Sequence, residues 1–169
     1  MTLKETVLSE FDDEMAMTRR LLERLPDAAL SWKPHERSMS LGGLATHLAL
    51  IPHWGTSILE RDGYDMASAD TRGPNSSTEL ASTAAVLETF DRHSASARRT
   101  LVDRVDAELT APWSLSRGEQ LIMSLPRVSA LRRFVLNHLV HHRGQLTVYL
   151  RMHNVPLPPL YGPSADERM

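Results

Sequence analysis

"NHLVHHRGQLTVYLR", Asn137 to Arg151, sets three histidines within five positions of a stretch whose apolar residues recur at helical spacing. At 100° per residue, Leu131, Phe134, Val135, Leu139, Leu146, Tyr149 and Leu150 gather on one face. Measured from His138, that face centres at roughly 50°, with His142 at about 40° and His141 at about −60°. The spacing therefore aims His138 and His142 into a core, one turn apart, and leaves His141 at its edge. Gln145 and Tyr149 continue the inward row. Arg143 falls about 100° from the centre of the two histidines, so pairing at the surface or at an interface is its default role.

Working outward, Pro126 suits the first turn of this helix, and Asn154 with Pro156 ends it near His153. Residues 107–125 lose the helical period, and Arg117-Gly118 suggests a short irregular hairpin. Ser76-Ser77-Thr78-Glu79 has the form of a capping box and opens helix 3, whose stripe is Leu80, Leu87, Phe90, Ala97, Leu101 and Val105. A second capping box, Thr2-Leu3-Lys4-Glu5, opens helix 1 over about 3–25, closed by Pro26. Helix 2 starts at Ser40, and Leu44, His47, Leu48, Ile51, Trp54 and Ile58 share a face. Pro52 should kink or divide it. The polar stretch 60–77 is a long crossover, which lets helices 2 and 3 run parallel. Four amphipathic helices predict an all-α four-helix bundle, one domain over 1–169.

Two histidines at i and i+4 stack on one helical face and can converge on one ion. More ligands must come from elsewhere. Helix 2 offers His47 on its apolar face, while His53 lies roughly 120° away and His93 lies off the helix-3 stripe. Without a metal, the core must hold His47, His138 and His142 as neutral, hydrogen-bonded groups, because unpartnered buried polar groups are costly. A divalent cation takes a lone pair from each ring. Three neutral imidazoles suit zinc, nickel, iron or manganese and leave a position for water or substrate. Two other readings stay open on spacing: satisfied core histidines, or a bis-histidine haem site using His47 and one helix-4 histidine. Trp32 and Trp54 can wall a pocket near such a centre, although aromatic residues in a small bundle usually belong to the core.

Composition narrows the function. There are no cysteines, which excludes disulfides, thiolate ligands and a cysteine nucleophile. Net charge is −2 and no basic run exceeds two residues, so neither a nucleic-acid nor an anionic-membrane surface is expected. The acidic, amphipathic N-terminal segment has no leader pattern, and no apolar run approaches a membrane span. The expectation is a cytoplasmic protein.

Three stretches, "SMSLGGLATHLALIPHW", "LNHLVHHRGQLTVYLR" and the tail "VPLPPLYGPSADE", resemble the DinB-like superfamily, which includes DNA-damage-inducible proteins and thiol-dependent transferases. The resemblance runs along nearly the whole chain. It implies a four-helix bundle of up-down-down-up order and a divalent metal, commonly zinc or nickel. It implies His47, His138 and His142 as the ligands, and a homodimer. Relatives with known activity use an external low-molecular-weight thiol such as mycothiol or bacillithiol. A small-thiol-dependent S-transferase is therefore the first functional expectation, with Gln145, Tyr149 and Trp54 as residues to orient ligands or line the substrate site. The alternatives are a metal-dependent hydrolase, which needs a general base that the sequence does not place, and a non-catalytic metal- or ligand-binding protein of the stress response.

Overall fold

The computed structural model describes residues 1–68 and 78–168. Four long helical segments surround one apolar core: α1 (Leu3–Leu22), α2 (Leu41–Glu60), α3 (Thr83–Val102), and a final helix built from α5 (Arg127–Leu131), a π-helical turn (Arg132–Leu136) and α6 (Asn137–Met152). A short helix, α4 (Asp106–Thr110), follows α3. Among the described residues no helix is long and apolar enough to cross a membrane.

Local chemistry sets the helix ends. Thr2 and Glu5 form the reciprocal capping box expected of α1. The Asp106 carboxylate accepts from Leu3 N and Lys4 N, so the start of α4 is tied to the start of α1. Ser40 Oγ accepts from Gly43 N to cap α2. Arg127, buried, donates to the carbonyls of Ile58 and Arg61 and thereby satisfies the end of α2. Asn154, at φ 56°, turns the chain out of α6.

Pairs of neighbouring residues fix the helix directions. His53–His93, Thr56–Ser96 and Glu60–Thr100 rise together along α2 and α3, which makes those helices parallel. Arg19–Asp91 and Asp12–Arg98 run oppositely, so α1 is antiparallel to α3. Glu10–Arg132 and Thr18–Arg143 place the final helix parallel to α1. Gly55 lets α2 and α3 approach closely, since a Cβ there would stand 3.3 Å from Ala97 Cβ.

Three expectations need correction, and a fourth, the hairpin, is borne out and extended. The fold is mostly helical but not all-α, because β1 (Gly63–Asp65), β2 (Pro112–Arg117) and β3 (Gln120–Pro126) form a sheet in the order β1-β2-β3. The hairpin at Arg117-Gly118 is present, with Gly118 at φ 58°, but β1 joins it in parallel through Gly63–Ser114 to Asp65–Ser116. Asp65 reinforces the join by accepting from Gly118 N. Helix 3 does not start at the proposed box. Its Ser76 and Ser77 lie outside the described residues, Ser82 caps α3 by accepting from Ala85 N, and Glu79 accepts from Ser40 Oγ at 2.5 Å. Pro52 does not divide α2, which runs unbroken from Leu41 to Glu60.

Candidate metal centre

His47 comes from the middle of α2, and His138 and His142 from the first turns of α6. Each ring is half-buried. His47 Nε2 lies 3.2 Å from His138 Nε2, which lies 2.8 Å from His142 Nε2. The ligand atoms of all three fall within 4.8 Å of one another. The π turn immediately precedes His138, and Asn137 N closes it on Arg132 O. Such insertions re-aim the following helix and are frequent at functional sites.

The outer nitrogen of His142 is committed: its Nδ1 donates to Gln145 Oε1 at 2.7 Å. A neutral imidazole has one N–H. With that proton on Nδ1, His142 turns a bare Nε2 lone pair towards the other two rings.

The surroundings oppose a further proton on these rings. Burial first, then the neighbouring His142 and His138, pushes His47 down to about 4. Burial also lowers His138 and His142, with the Gln145 contact partly offsetting the shift for His142. The rings are thus held neutral and convergent, a donor set that fits a divalent cation. Among the described residues the cluster consists of histidines and includes no carboxylate.

The remaining site residues divide. Trp54 packs against His47 and His138, with ring centroids 5.7 and 5.3 Å away. Gln145 holds His142. Tyr149 turns elsewhere: its ring meets Trp32 edge-on at 5.6 Å and its hydroxyl reaches Met39 O at 3.4 Å. Trp32 lies with Tyr149 and His153. His141 is exposed, its ring 4.8 Å from His142.

Arg143 overturns its surface assignment. It is 1% exposed and pairs with Glu14 at 2.6 Å, with further bonds to Glu14 O, Thr18 Oγ1 and the Tyr161 hydroxyl. Sequence spacing also missed the facing of His53 and His93, whose rings sit 5.1 Å apart, because it depends on the α2–α3 register.

The sequence model of the DinB family matches residues 1–168. The chain belongs to the DinB family. It is 26% identical over 160 residues to the uncharacterized protein YrdA of Bacillus subtilis (strain 168), covering 95% of this chain and 89% of that one. A DinB-like protein of Bacillus cereus ATCC 10987 superposes with a TM-score of 0.72 at 21% identity, over 95% of this chain and 98% of the other. A DinB-like protein of Bacillus subtilis, YjoA, gives 0.71 at 18% identity, over 97% and 99%. These likenesses carry the fold.

Proposed function

We propose that this DinB-family chain holds one divalent ion, zinc or nickel before iron or manganese, on His47, His138 and His142, and works as a metal-dependent S-transferase using a small external thiol. The observation that carries the reading is the convergence of three half-buried imidazoles, their ligand atoms within 4.8 Å of one another and the outer nitrogen of His142 held by Gln145. When bound, a divalent ion in a three-histidine site lowers the pKa of a thiol or water in its open position.

The chain's own residues supply the rest. Gln145 fixes the tautomer and ring plane of His142. Trp54 covers one side of His47 and His138 and keeps water from them. The absence of cysteine from the chain means that any thiol is borrowed. The hydrolase reading stands second, because it needs a general base and the cluster consists of histidines alone among the described residues. The same proposal takes the protein to be a cytoplasmic homodimer that meets small molecules and neither nucleic acid nor membrane.

The test uses cobalt-loaded protein. Small thiols are titrated while near-ultraviolet thiolate-to-metal absorption is recorded, and the same thiols are then assayed against a panel of electrophiles. The transferase reading predicts a saturable new band and thiol consumption dependent on the ion. A panel that neither shifts the spectrum nor reacts removes the transferase and leaves a non-catalytic metal protein.

A further inference from the structure

His53 of α2 faces His93 of α3, with ring centroids 5.1 Å apart and planes at 68°. The pair stands apart from the three histidines already described, on the seam between two parallel helices. Its register is held by the contacts that follow it. Thr56 Oγ1 meets Ser96 Oγ at 3.4 Å one turn on, and Glu60 reaches Thr100 at 3.5 Å a turn beyond that. Gly55 brings Ala97 close between them. Two rings on packed helices are thus set face to face, where a loop would leave them free to separate.

Neither ring has a hydrogen-bond partner among the described residues. Both are half-buried, and His53 lies in the wall of a cavity of about 270 Å³. A neutral imidazole keeps one bare nitrogen. Burial first, then the neighbouring charges, lowers both rings, His93 to about 4, so that nitrogen is free of its proton near neutral pH. The spacing also suits an ion. A metal about 2.0–2.1 Å from one nitrogen on each ring, at a near-tetrahedral angle, holds two imidazole centroids about 5 Å apart. The His47 and His138 centroids of the first cluster have the same 5.1 Å separation.

We infer that His53 and His93 form a second metal site, which bridges α2 and α3 and takes a divalent late first-row ion, cupric ion in preference to nickel or zinc. The cavity beside His53 leaves room for the water ligands that a two-histidine site needs. Two protein ligands are fewer than three, and Arg61 and Arg92 act against positive charge here while Glu60 partly offsets them at His53. The site is therefore the weaker of the two. Copper is the ion that two imidazoles hold best, since it tops the affinity order of the divalent series, whereas zinc and nickel on this pair are lost on desalting. The assignment stands on its own residues and does not need the three-histidine centre.

The test is equilibrium dialysis of chelator-stripped protein against cupric ion, with glycine present to compete for loosely held copper, and electron paramagnetic resonance to read nitrogen ligation. The natural chain should take up about two cupric ions. One should be lost in His53→Gln and equally in His93→Gln, and the other in His142→Ala. His35→Gln, at an exposed histidine, should keep both. Copper should also raise the Tm of His142→Ala, since it binds only the folded pair, and adding His93→Gln should abolish that rise. Circular dichroism checks that each variant is folded. Full copper uptake by folded His53→Gln and His93→Gln, or a rise in Tm that survives His93→Gln, would overturn the inference. One copper lost in His93→Gln but not in His142→Ala would remove the three-histidine reading and leave this site standing; one copper lost only in His142→Ala would do the reverse.

Discussion

His138 and His142 turn their Nε2 atoms to within 2.8 Å of each other, and Gln145 holds the outer nitrogen of His142. His47 Nε2 lies 3.2 Å from His138 Nε2, so three rings that burial keeps neutral converge on one point. That convergence is the physical reason for reading the site as a cation site rather than a polar patch in the core.

Gln145 should therefore matter without touching the ion. It is exposed, so Gln145→Leu should leave thermal stability nearly unchanged while loosening zinc by roughly 10- to 100-fold, as loss of a partner behind a ligating histidine does. Gln145→Glu keeps an acceptor on His142 Nδ1 and should retain affinity. Competition with a chromophoric chelator reads both, and equal affinity in all three proteins would contradict the assigned role.

The Arg143–Glu14–Tyr161 cluster predicts stability rather than activity. The tail returns across the bundle, and Tyr161 donates to Glu14 while accepting from Arg143, whose guanidinium lies 5.1 Å from the Tyr161 ring. Burial and the Glu14 contact push the Tyr161 hydroxyl up, which keeps its proton in place. Arg143→Met leaves Glu14 nearly buried without its counter-ion and should cost about 3–5 kcal/mol. Tyr161→Phe should cost about 1 kcal/mol. Urea denaturation of metal-free protein checks the order, and equal effects would contradict it.

The His53–His93 pair predicts a pH dependence of its own, added in the metal-free protein to that of the three site histidines, which burial also lowers. Burial first, then His53 and Arg92, lowers His93 to about 4, and burial also lowers His53 against the weaker pull of Glu60. Both folded values lie below the ordinary 6.5, so the unfolded chain binds more protons in that window. Stability is then full above about pH 6.5 and falls as pH drops towards 4. Thermal unfolding of metal-free protein should show a lower Tm at pH 5 than at pH 7, and His93→Gln should flatten that slope. An unchanged slope in the variant would contradict the pairing.

The parts of this molecule readable from sequence were those written in local spacing. The Thr2–Glu5 box, the Ser40 cap, the Asn154 stop and the inward aim of His138 and His142 each depend on residues within about one turn. What was not legible depends on distant partners. Gly63–Asp65 is too short to carry a strand period and becomes a strand only by pairing with Ser114–Ser116. Glu79 resembles a capping residue until Ser40, far along the chain, claims its carboxylate. Arg143 looks like a surface charge because its counter-ion sits on α1 and its cover is the tail. The wheel placed Tyr149 on the inward row, but residues from the α1–α2 connection, Trp32 and Met39, claim its ring and hydroxyl.

The central claim is met most directly by elemental analysis of untagged protein beside its His142→Ala variant, each purified as expressed and again after incubation with zinc or nickel. The account predicts about one divalent ion per chain in the natural protein, lost in the variant while the helical circular dichroism persists. A natural chain that takes up neither ion would contradict it, reducing His47, His138 and His142 to polar groups of the core.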